Sequence, residues 1–169
     1  MPLRTGRGPA SLPDDMTTIR SVAIIGAGQM GAGIAQAVAA GGYDVLLHDK
    51  VEARVAEARG AIAASLARHV ARGLATQAGA DAAVARIRPA ASLAEAARAD
   101  LVIEAAVEDE AVKKAILGEL TPHLGPDTLL ASNTSSISIT RLASATDRPE
   151  RFIGLHFMKP APVMKLVEI

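Results

Sequence analysis

Three groups of residues in this 169-residue chain have types and spacings that can support chemistry. A glycine-rich turn, GAGQMG, occupies residues 26–31, and Asp49 follows 18 residues after it. A polar run, SNTSS, occupies residues 132–136. Near the end of the sequence, His156 precedes two prolines and Glu168 follows them. A glycine turn ahead of a helix is typical of phosphate binding, and a histidine with a carboxylate partner is typical of proton transfer.

The glycine turn has the G-x-G-x-x-G spacing of a dinucleotide-binding loop. In that spacing Gly26 permits the tight turn, Gly28 lets the backbone approach a pyrophosphate, and Gly31 lets the helix pack closely on the strand. The residues that we predict to bind the cofactor here are Gly26, Ala27, Gly28, Gln29, Met30 and Gly31. A P-loop is excluded because the sequence contains no G-x-x-x-x-G-K-[ST].

Asp49 ends the second predicted strand, where a carboxylate can accept hydrogen bonds from both ribose hydroxyls. A carboxylate there repels a 2′-phosphate, so we predict NAD rather than NADP as the cofactor. Lys50 and Arg54 lie close by in the sequence and keep NADP as an alternative. An ordinary tight turn with a helix-capping aspartate is the structural alternative to the whole motif.

Pro160 and Pro162 predict a reversal of the chain that brings Glu168 back beside His156. A carboxylate there would orient the imidazole and stabilise its protonated form. Beside a nicotinamide, such a pair fits alcohol oxidation, in which histidine removes the hydroxyl proton while a hydride passes to NAD. Taken singly, a histidine at a strand end is more often structural, and Glu168 can be the solvent face of an alternating strand.

The elements that must position these groups alternate between strand and helix signals. Apolar runs predict strands in SVAIIG, YDVLLHD, ADLVIEAAVE, DTLLASNTSS, RFIGLHF and VMKLVEI. Apolar residues at helical spacing predict a helix from Val51 to Arg72 and another that Asp109 and Glu110 open and Gly125-Pro126 stops. The apolar face predicted for that second helix comprises Val112, Ile116, Leu120 and Leu124.

This alternation predicts an α/β fold, a doubly wound and mostly parallel sheet of the Rossmann type. Ligands bind such sheets beyond the carboxyl ends of the strands. Residues 104–108, the SNTSS run and His156 all fall at such ends. For the SNTSS run, the alternative is a loop whose hydroxyls cap the next helix.

Composition restricts the function further. Lys and Arg balance Asp and Glu at 18 each, and the charges are scattered, so we expect no nucleic-acid or membrane partner. The absence of cysteine excludes disulfides and thiolate metal sites, and no metal site is predicted. With only three aromatic residues, the core must be aliphatic. Residues 1–18 are rich in proline and glycine without an apolar h-region, which predicts a disordered tail on a soluble, cytoplasmic protein.

Four segments, in order, resemble a known family: VAIIGAGQMGAGIAQAVAAGGYDVLLHD, DLVIEAAVEDEAVKKAIL, LLASNTSSISIT and RFIGLHFMKPAPVMKLVEI. Together they are similar to the NAD-binding half of the 3-hydroxyacyl-CoA dehydrogenases, in particular their short-chain 3-hydroxybutyryl-CoA branch. The resemblance runs from about Ile19 to Ile169. It implies NAD-dependent oxidation of an (S)-3-hydroxyacyl-CoA to the 3-ketoacyl-CoA, in fatty-acid metabolism such as β-oxidation.

The resemblance also implies roles for single residues. His156 would be the general base and Glu168 its partner, while Ser135 would hydrogen-bond the substrate oxygen and approach the nicotinamide. Glu108 and Lys113 fall at further NAD-contact positions.

Three more positions follow from the same resemblance. Ser65 and Arg72 fall where the family contacts coenzyme A; they lie seven residues apart on one helix face, with a solvated helix surface as the alternative. The family has H-F-[FM]-N-P where this chain has Lys159, so a cation replaces an asparagine whose amide contacts the cofactor.

The family continues beyond this point into a helical domain that supplies a catalytic asparagine, much of the acyl-CoA site and the dimer interface. We therefore predict that residues 19–169 form the NAD-binding domain and act in a homo-oligomer or with a separate C-terminal domain. Two alternatives are an NAD(H)-binding module without turnover and a dehydrogenase of a free hydroxy acid such as carnitine or gulonate. The β-hydroxyacid dehydrogenases are disfavoured, because they use a catalytic lysine elsewhere rather than a histidine–glutamate pair.

Overall fold

Strands and helices alternate along most of the computed structural model, which describes residues 18–164 and 166–169. The strands are β1 (Ser21–Ile25), β2 (Asp44–His48), β3 (Ile87–Pro89), β4 (Leu101–Glu104), β5 (Leu129–Ser132), β6 (Phe152–Gly154), β7 (His156–Phe157) and β8 (Val167–Glu168). The helices are α1 (Gln29–Ala40), α2 (Glu52–Ala71), α3 (Gln77–Arg86), α4 (Leu93–Ala96), α5 (Glu110–Leu120) and α6 (Ile139–Ala143). The tail predicted for residues 1–18 lies outside the described residues except for position 18.

Six strands form one parallel sheet in the order β3-β2-β1-β4-β5-β6. The strand order reverses between β1 and β4, and this is the point at which doubly wound sheets bind ligands beyond the carboxyl ends of the strands. The remaining strands, β7 and β8, form a separate antiparallel pair. The predicted α/β fold, a doubly wound and mostly parallel sheet of the Rossmann type, is confirmed.

Helices cover both faces of the sheet and form two apolar layers. In β1, Val22 and Ile24 pack in the layer of α1, α2 and α3, whereas Ala23 and Ile25 pack in the layer of α4, α5 and α6. Burial on both faces explains why the central strands have continuous apolar sequences. The core is aliphatic as predicted, and Phe152 is the one aromatic side chain buried among the described residues. Within residues 18–164 and 166–169, no helix combines the length and the apolarity that a membrane crossing needs.

Several predicted elements differ from the structure. RFIGLHF forms two strands, β6 and β7, because its ladder with β5 stops opposite Ser132, where β5 ends. VMKLVEI contributes only the two residues of β8. The sequence does not predict α3 or β3, since an alanine-rich helix has no distinct apolar stripe and β3 is a three-residue edge strand that contains Pro89.

The predicted apolar face of α5 is correct in part. Leu120 is buried, and Ile116 and Leu124 are partly buried against the apolar core. Val112, however, is 40% exposed, and the fold also buries Lys113 and Leu117. The helix ends at Leu120, before the predicted Gly125-Pro126 stop, and continues as a 3-10 turn over Thr121–His123. The buried face of α5 is shifted toward Lys113 because this side chain forms an ion pair with Glu104, which is described below.

Asp100 joins the starts of β1 and β4 at the amino end of the sheet. Its Oδ2 accepts hydrogen bonds from the N–H of Arg20 at 2.8 Å, the N–H of Ser21 at 2.8 Å and the hydroxyl of Ser21 at 2.9 Å. The backbone N–H of Arg20, followed by that of Ser21, holds the pKa of Asp100 below its ordinary value. The ionised carboxylate therefore stabilises the alignment of the two central strands.

We predict that Asp100→Asn lowers the free energy of unfolding by about 1 kcal/mol at pH 7, because an amide oxygen accepts weaker hydrogen bonds than a carboxylate. The native pKa of Asp100 lies below the unfolded value near 3.8, so its stabilisation is complete above that value and is lost as the pH falls through the native value. Urea unfolding of both proteins at pH 7 and pH 3 measures the difference. A difference of the same size at both pH values would contradict the assignment.

Candidate functional site

The polar groups singled out in the sequence gather beyond the carboxyl ends of the parallel strands. The glycine loop follows β1, Asp49 follows β2, and the SNTSS loop begins at the end of β5. His156 follows β6, one residue beyond Leu155. Because all six strands of the main sheet are parallel, these ends share one edge.

In the glycine loop, the fold requires the outer two glycines but does not fill the space at the middle one. Gly26 has a φ of 107°, and a Cβ there would lie 2.7 Å from the carbonyl oxygen of Ala105. A Cβ on Gly31 would lie 1.7 Å from the carbonyl oxygen of Gly26. At Gly28, by contrast, a Cβ would have no neighbour within 4 Å. The loop thus keeps open space at the position where a pyrophosphate would approach the backbone.

The helix that follows this space offers unpaired backbone donors. Helix α1 begins at Gln29 with Gly28 as its N-cap, and no side chain caps it. Its first turn contains no acidic residue, so Gln29 and Met30 introduce no negative charge where a phosphate would bind. An uncapped N-terminus beside an open glycine is the arrangement that binds the phosphates of a dinucleotide. The loop residues therefore fit NAD.

Asp49 braces the glycine loop against the end of β2. Its Oδ2 accepts a hydrogen bond from the N–H of Ala27 at 2.8 Å, and its Oδ1 accepts one from the N–H of Val51 at 2.9 Å. Arg54 Nη1 lies 3.8 Å from Oδ1. Each carboxylate oxygen can accept a further hydrogen bond. A cleft of about 520 Å³ adjoins Asp49 and extends to Ala90, beyond the end of β3.

A buried ion pair lies beneath the centre of this edge. Lys113 Nζ contacts both carboxylate oxygens of Glu104 at 2.9 Å, and both side chains are only 1% exposed. Glu104 also accepts hydrogen bonds from the hydroxyl of Ser132 and the N–H of Ala106, each at 2.6 Å. Lys113 Nζ lies 3.5 Å from Glu108 Oε2. The predicted NAD-contact residue Lys113 is therefore enclosed within a polar network that joins β4, β5 and α5.

Glu108 holds the SNTSS loop. Its Oε1 accepts hydrogen bonds from Thr134 Oγ1 at 2.5 Å, Ser136 Oγ at 2.9 Å, and the N–H groups of Ser135 and Ser136 at 3.0 and 3.2 Å. Partial burial acts to raise the pKa of Glu108, but the hydrogen bonds from Thr134, Ser136 and Ser135 and the charge of Lys113 outweigh it and lower the pKa to about 2. The carboxylate is thus ionised at neutral pH and keeps the loop in one conformation.

The hydroxyl of Ser135 is only weakly engaged in this loop. Its Oγ lies 3.5 Å from Glu108 Oε1, a longer distance than that of the N–H group of the same residue. The side chain is exposed. The backbone therefore fixes Ser135 while its hydroxyl can turn toward a ligand.

His156 and Glu168 face each other across the β7–β8 pair. They are register partners, and His156 Nδ1 lies 2.9 Å from Glu168 Oε2. Glu168 is 66% exposed, whereas His156 is 25% exposed. The contact expected from the proline-containing turn is present. The turn itself packs on α1, where a Cβ added to Gly33 would lie 3.2 Å from Pro162.

The remaining predicted residues lie at the surface. Lys159 is exposed in the turn between β7 and β8, and Ser65 is half-buried on α2. Arg72 is exposed and is the C-cap of α2, one residue beyond the end of the helix. Among the described residues, no hydrogen bond or ion pair joins these three side chains to the groups above.

Sequence reasoning missed two residues of the site. In the sequence, Glu104 is one of several polar residues at the end of a predicted strand, and no separate role is predicted for it. Its position as the carboxylate nearest the apolar run is the feature that indicates burial. Asn133 accepts a hydrogen bond from the N–H of Phe157 at 2.7 Å, and no pattern in the sequence predicts this contact. Burial of Lys113 had a signal, because it is spaced four and seven residues from Leu117 and Leu120 on α5.

Comparison with known proteins agrees with this geometry. The family model described as 3-hydroxyacyl-CoA dehydrogenase, NAD binding domain, matches residues 21–169. The chain is 52% identical over 151 residues to the 3-hydroxybutyryl-CoA dehydrogenase of Bradyrhizobium diazoefficiens, covering 89% of this chain and 52% of that protein. It is 47% identical to the 3-hydroxyadipyl-CoA dehydrogenase of Escherichia coli, covering 91% of this chain and 32% of that protein.

A solved structure has the same fold. The crystal structure of (S)-3-hydroxybutyryl-CoA dehydrogenase from Ralstonia eutropha matches with a TM-score of 0.86 and 45% identity, over 89% of this chain and 53% of that one. The chain thus spans about half the length of the 3-hydroxybutyryl-CoA dehydrogenases that it resembles.

We predict that Gly28→Ala leaves the melting temperature unchanged and weakens NADH binding roughly tenfold, because the added methyl group fills only the space for the pyrophosphate. Gly31→Ala should instead destabilise the fold by at least about 3 kcal/mol, because its Cβ overlaps the backbone of Gly26. Fluorescence titration with NADH and thermal unfolding measure the two effects.

The matched control is Gly60→Ala, which adds a methyl group to open space on α2. It should leave NADH affinity unchanged and raise stability by up to about 1 kcal/mol. Equal NADH affinity in the wild-type and Gly28→Ala proteins would contradict the predicted role of Gly28.

Two adjacent lysines allow a test of the buried ion pair. Lys113→Met should lower the free energy of unfolding by about 3–5 kcal/mol, because it leaves Glu104 buried without its counter-charge. Lys114→Met should cost under about 0.5 kcal/mol, because Lys114 is 39% exposed and pairs with Glu110 on the helix surface. Urea unfolding at pH 7 compares the two variants, and similar losses would show that the buried pair has no special weight.

Proposed function

Because this chain belongs to the 3-hydroxyacyl-CoA dehydrogenase family and matches its NAD-binding domain, we propose a role in the reaction of that family. The reaction is the NAD-dependent oxidation of an (S)-3-hydroxyacyl-CoA to the 3-ketoacyl-CoA. The observation that carries the proposal is the 2.9 Å contact between His156 Nδ1 and Glu168 Oε2. It stands at the edge of the sheet that bears a glycine loop fit for a dinucleotide. The residues proposed for proton removal and those proposed for cofactor binding therefore lie at one edge of the sheet.

His156 is the proposed general base, and its partner determines which nitrogen acts. A carboxylate without a proton can only accept hydrogen bonds, so in this proposal Nδ1 of His156 carries a proton and donates it in the hydrogen bond to Glu168. The lone pair of Nε2 is then free to take the proton of the substrate hydroxyl. Glu168 stabilises the positive charge that the ring gains in this step. NAD, when bound, supplies the acceptor for the hydride that leaves C3 as the C–O bond becomes a carbonyl.

Ser135 is the proposed hydrogen-bond donor to the substrate oxygen. Its backbone N–H is held by Glu108 at 3.0 Å, while its hydroxyl makes only a 3.5 Å contact. A donor whose backbone is fixed and whose hydroxyl is free can orient the oxygen without a rearrangement of the loop. Glu108 and Lys113 support NAD binding in this proposal by ordering the same loop.

The coenzyme A part of the substrate is proposed to contact Ser65 and Arg72. Arg72 is exposed at the C-cap of α2, where a guanidinium can reach a phosphate. Lys159, also exposed, is proposed to contact the cofactor where the family has an asparagine. The relatives named for 3-hydroxybutyryl-CoA and 3-hydroxyadipyl-CoA favour a short acyl chain.

We propose residues 19–169 as the cofactor-binding domain of this reaction, in the cytoplasm, working in a homo-oligomer or with a separate helical domain. The 3-hydroxybutyryl-CoA dehydrogenases that the chain matches are longer than it, and the chain covers about half of each. A second candidate function is an NAD(H)-binding module that does not turn over substrate alone, because the open space at Gly28 fits a dinucleotide without any contact to a substrate.

We predict that the 169-residue protein oxidises NADH when acetoacetyl-CoA is added and that His156→Ala reduces this rate by at least about a hundredfold. In this direction the carbonyl oxygen gains a proton as it receives the hydride, and the residue that is the base of the oxidation is the acid that donates this proton. NADH affinity should be unchanged, since the glycine loop is untouched. The decrease in NADH absorbance with time measures the rate.

The matched control is His123→Ala, since His123 is exposed in the 3-10 turn after α5, toward the amino end of the sheet. This variant should keep the wild-type rate. Equal rates in the His156→Ala and wild-type proteins would sink the proposed role of His156. NADH binding without any oxidation in the wild type would favour the binding module.

A further inference from the structure

A side-chain hydrogen bond joins the SNTSS loop directly to β7. Asn133 Oδ1 accepts it from the N–H of Phe157 at 2.7 Å, and both residues are half-buried. Asn133 is the first residue after β5, two positions before Ser135. Phe157 is the neighbour of His156 in β7. One bond therefore connects the segments that carry the proposed base and the proposed substrate donor.

This bond extends the hydrogen-bonding pattern of the sheet past the end of its strands. The N–H of Leu155 donates to the carbonyl oxygen of Ser132 at 3.0 Å, beside the β5–β6 ladder. Alternate residues of a strand direct their N–H groups to the same side, so Phe157 carries the next donor toward β5. The main chain beyond Asn133 turns toward Glu108, and the side chain of Asn133 meets that donor.

The bond controls the direction of the His156 side chain. The donating N–H belongs to the peptide unit between His156 and Phe157, so the bond fixes the rotation of that plane. On its other side β7 pairs only with β8, which has two residues that are both exposed. The Phe157 side chain packs against the apolar core, but this contact does not fix the rotation of the peptide plane. The next backbone contact between the two segments, from Met158 N–H to the carbonyl oxygen of Leu166, is 3.4 Å long.

Asn133 is itself held by the buried network. Its N–H donates to the carbonyl oxygen of Glu104 at 2.8 Å. The residues on either side of it, Ser132 and Thr134, donate their hydroxyls to Glu104 and Glu108. Asn133 Oδ1, which accepts the hydrogen bond from Phe157, therefore belongs to a residue whose backbone is itself held by a hydrogen bond to Glu104.

We propose that Asn133 is a positioning residue that aims His156 toward the substrate, a role that rests on the proposed dehydrogenase function. It acts through the N–H of Phe157 and needs no contact with substrate or cofactor. A side chain without an acceptor at this position leaves the peptide plane between His156 and Phe157 without a hydrogen bond from the SNTSS loop, and the imidazole loses its fixed direction relative to Ser135.

The test compares Asn133→Ala, which removes the acceptor, with Asn133→Asp, which keeps an oxygen at the same position. Amide hydrogen exchange of Phe157 and the ring nitrogen chemical shifts of His156 are recorded for both variants and the wild type. In the Ala variant, Phe157 should exchange roughly fivefold to tenfold faster, the effect of losing one hydrogen bond, and the His156 signals should move. Both should return toward wild type in the Asp variant.

NADH titration and turnover separate positioning from a general loss of structure. NADH affinity should be equal in all three proteins, and the Ala variant should lower kcat at unchanged KM, with rescue by Asp. Asn133 is the sole asparagine of the sequence, so selective asparagine labelling gives a single side-chain signal that reports the bond in the wild type.

Unchanged Phe157 exchange in Asn133→Ala, or an equal increase in the Ala and Asp variants, would overturn the proposal. Faster exchange and shifted His156 signals in the Ala variant alone support it even if no protein oxidises NADH. That last outcome would count only against the proposed function.

Discussion

The buried ion pair of Glu104 and Lys113 is the constraint on which the functional edge of this domain depends. Two charges that are 1% exposed lose their hydration, and this loss is compensated only when their remaining hydrogen-bonding capacity is satisfied. The fold satisfies it with Ser132, Ala106 and Glu108, and no buried side-chain nitrogen or oxygen among the described residues lacks a partner. Because these partners come from different segments, the pair fixes the ends of β4, β5 and α5 relative to one another.

The rest of the site is built outward from that pair in short steps. Glu108 gathers the hydroxyls and N–H groups of the SNTSS loop, and Asn133 connects the same loop to β7. Packing of the proline turn on α1 then brings the His156–Glu168 pair to the side of the glycine loop. An aliphatic core of two layers provides the rigid sheet, and a polar network provides the placement of groups at its edge.

Local signals in the sequence were enough to predict the fold class, the positions of the glycine loop after β1 and of Asp49 after β2, and the return of Glu168 to His156. Each of these rests on the spacing of neighbouring residues, such as prolines that reverse a chain. The ion pair of Lys113 and the bond of Asn133 could not be predicted in the same way, because their partners lie on other elements of the fold. The predicted α5 face differs from the structure at Val112 for the same reason: the helix buries Lys113, whose charge is satisfied by Glu104, and leaves Val112 exposed.

The three glycines of the loop are not under the same structural constraint, although they lie within six residues. Gly26 and Gly31 are required by the packing of the backbone on itself, whereas nothing in the described fold occupies the space beside Gly28. Replacement of an outer glycine therefore has to be compensated by a change in the backbone, while replacement of the middle glycine requires no change in the fold. On the proposal that a dinucleotide binds beside Gly28, the middle glycine is free to vary only in a domain that no longer binds its cofactor.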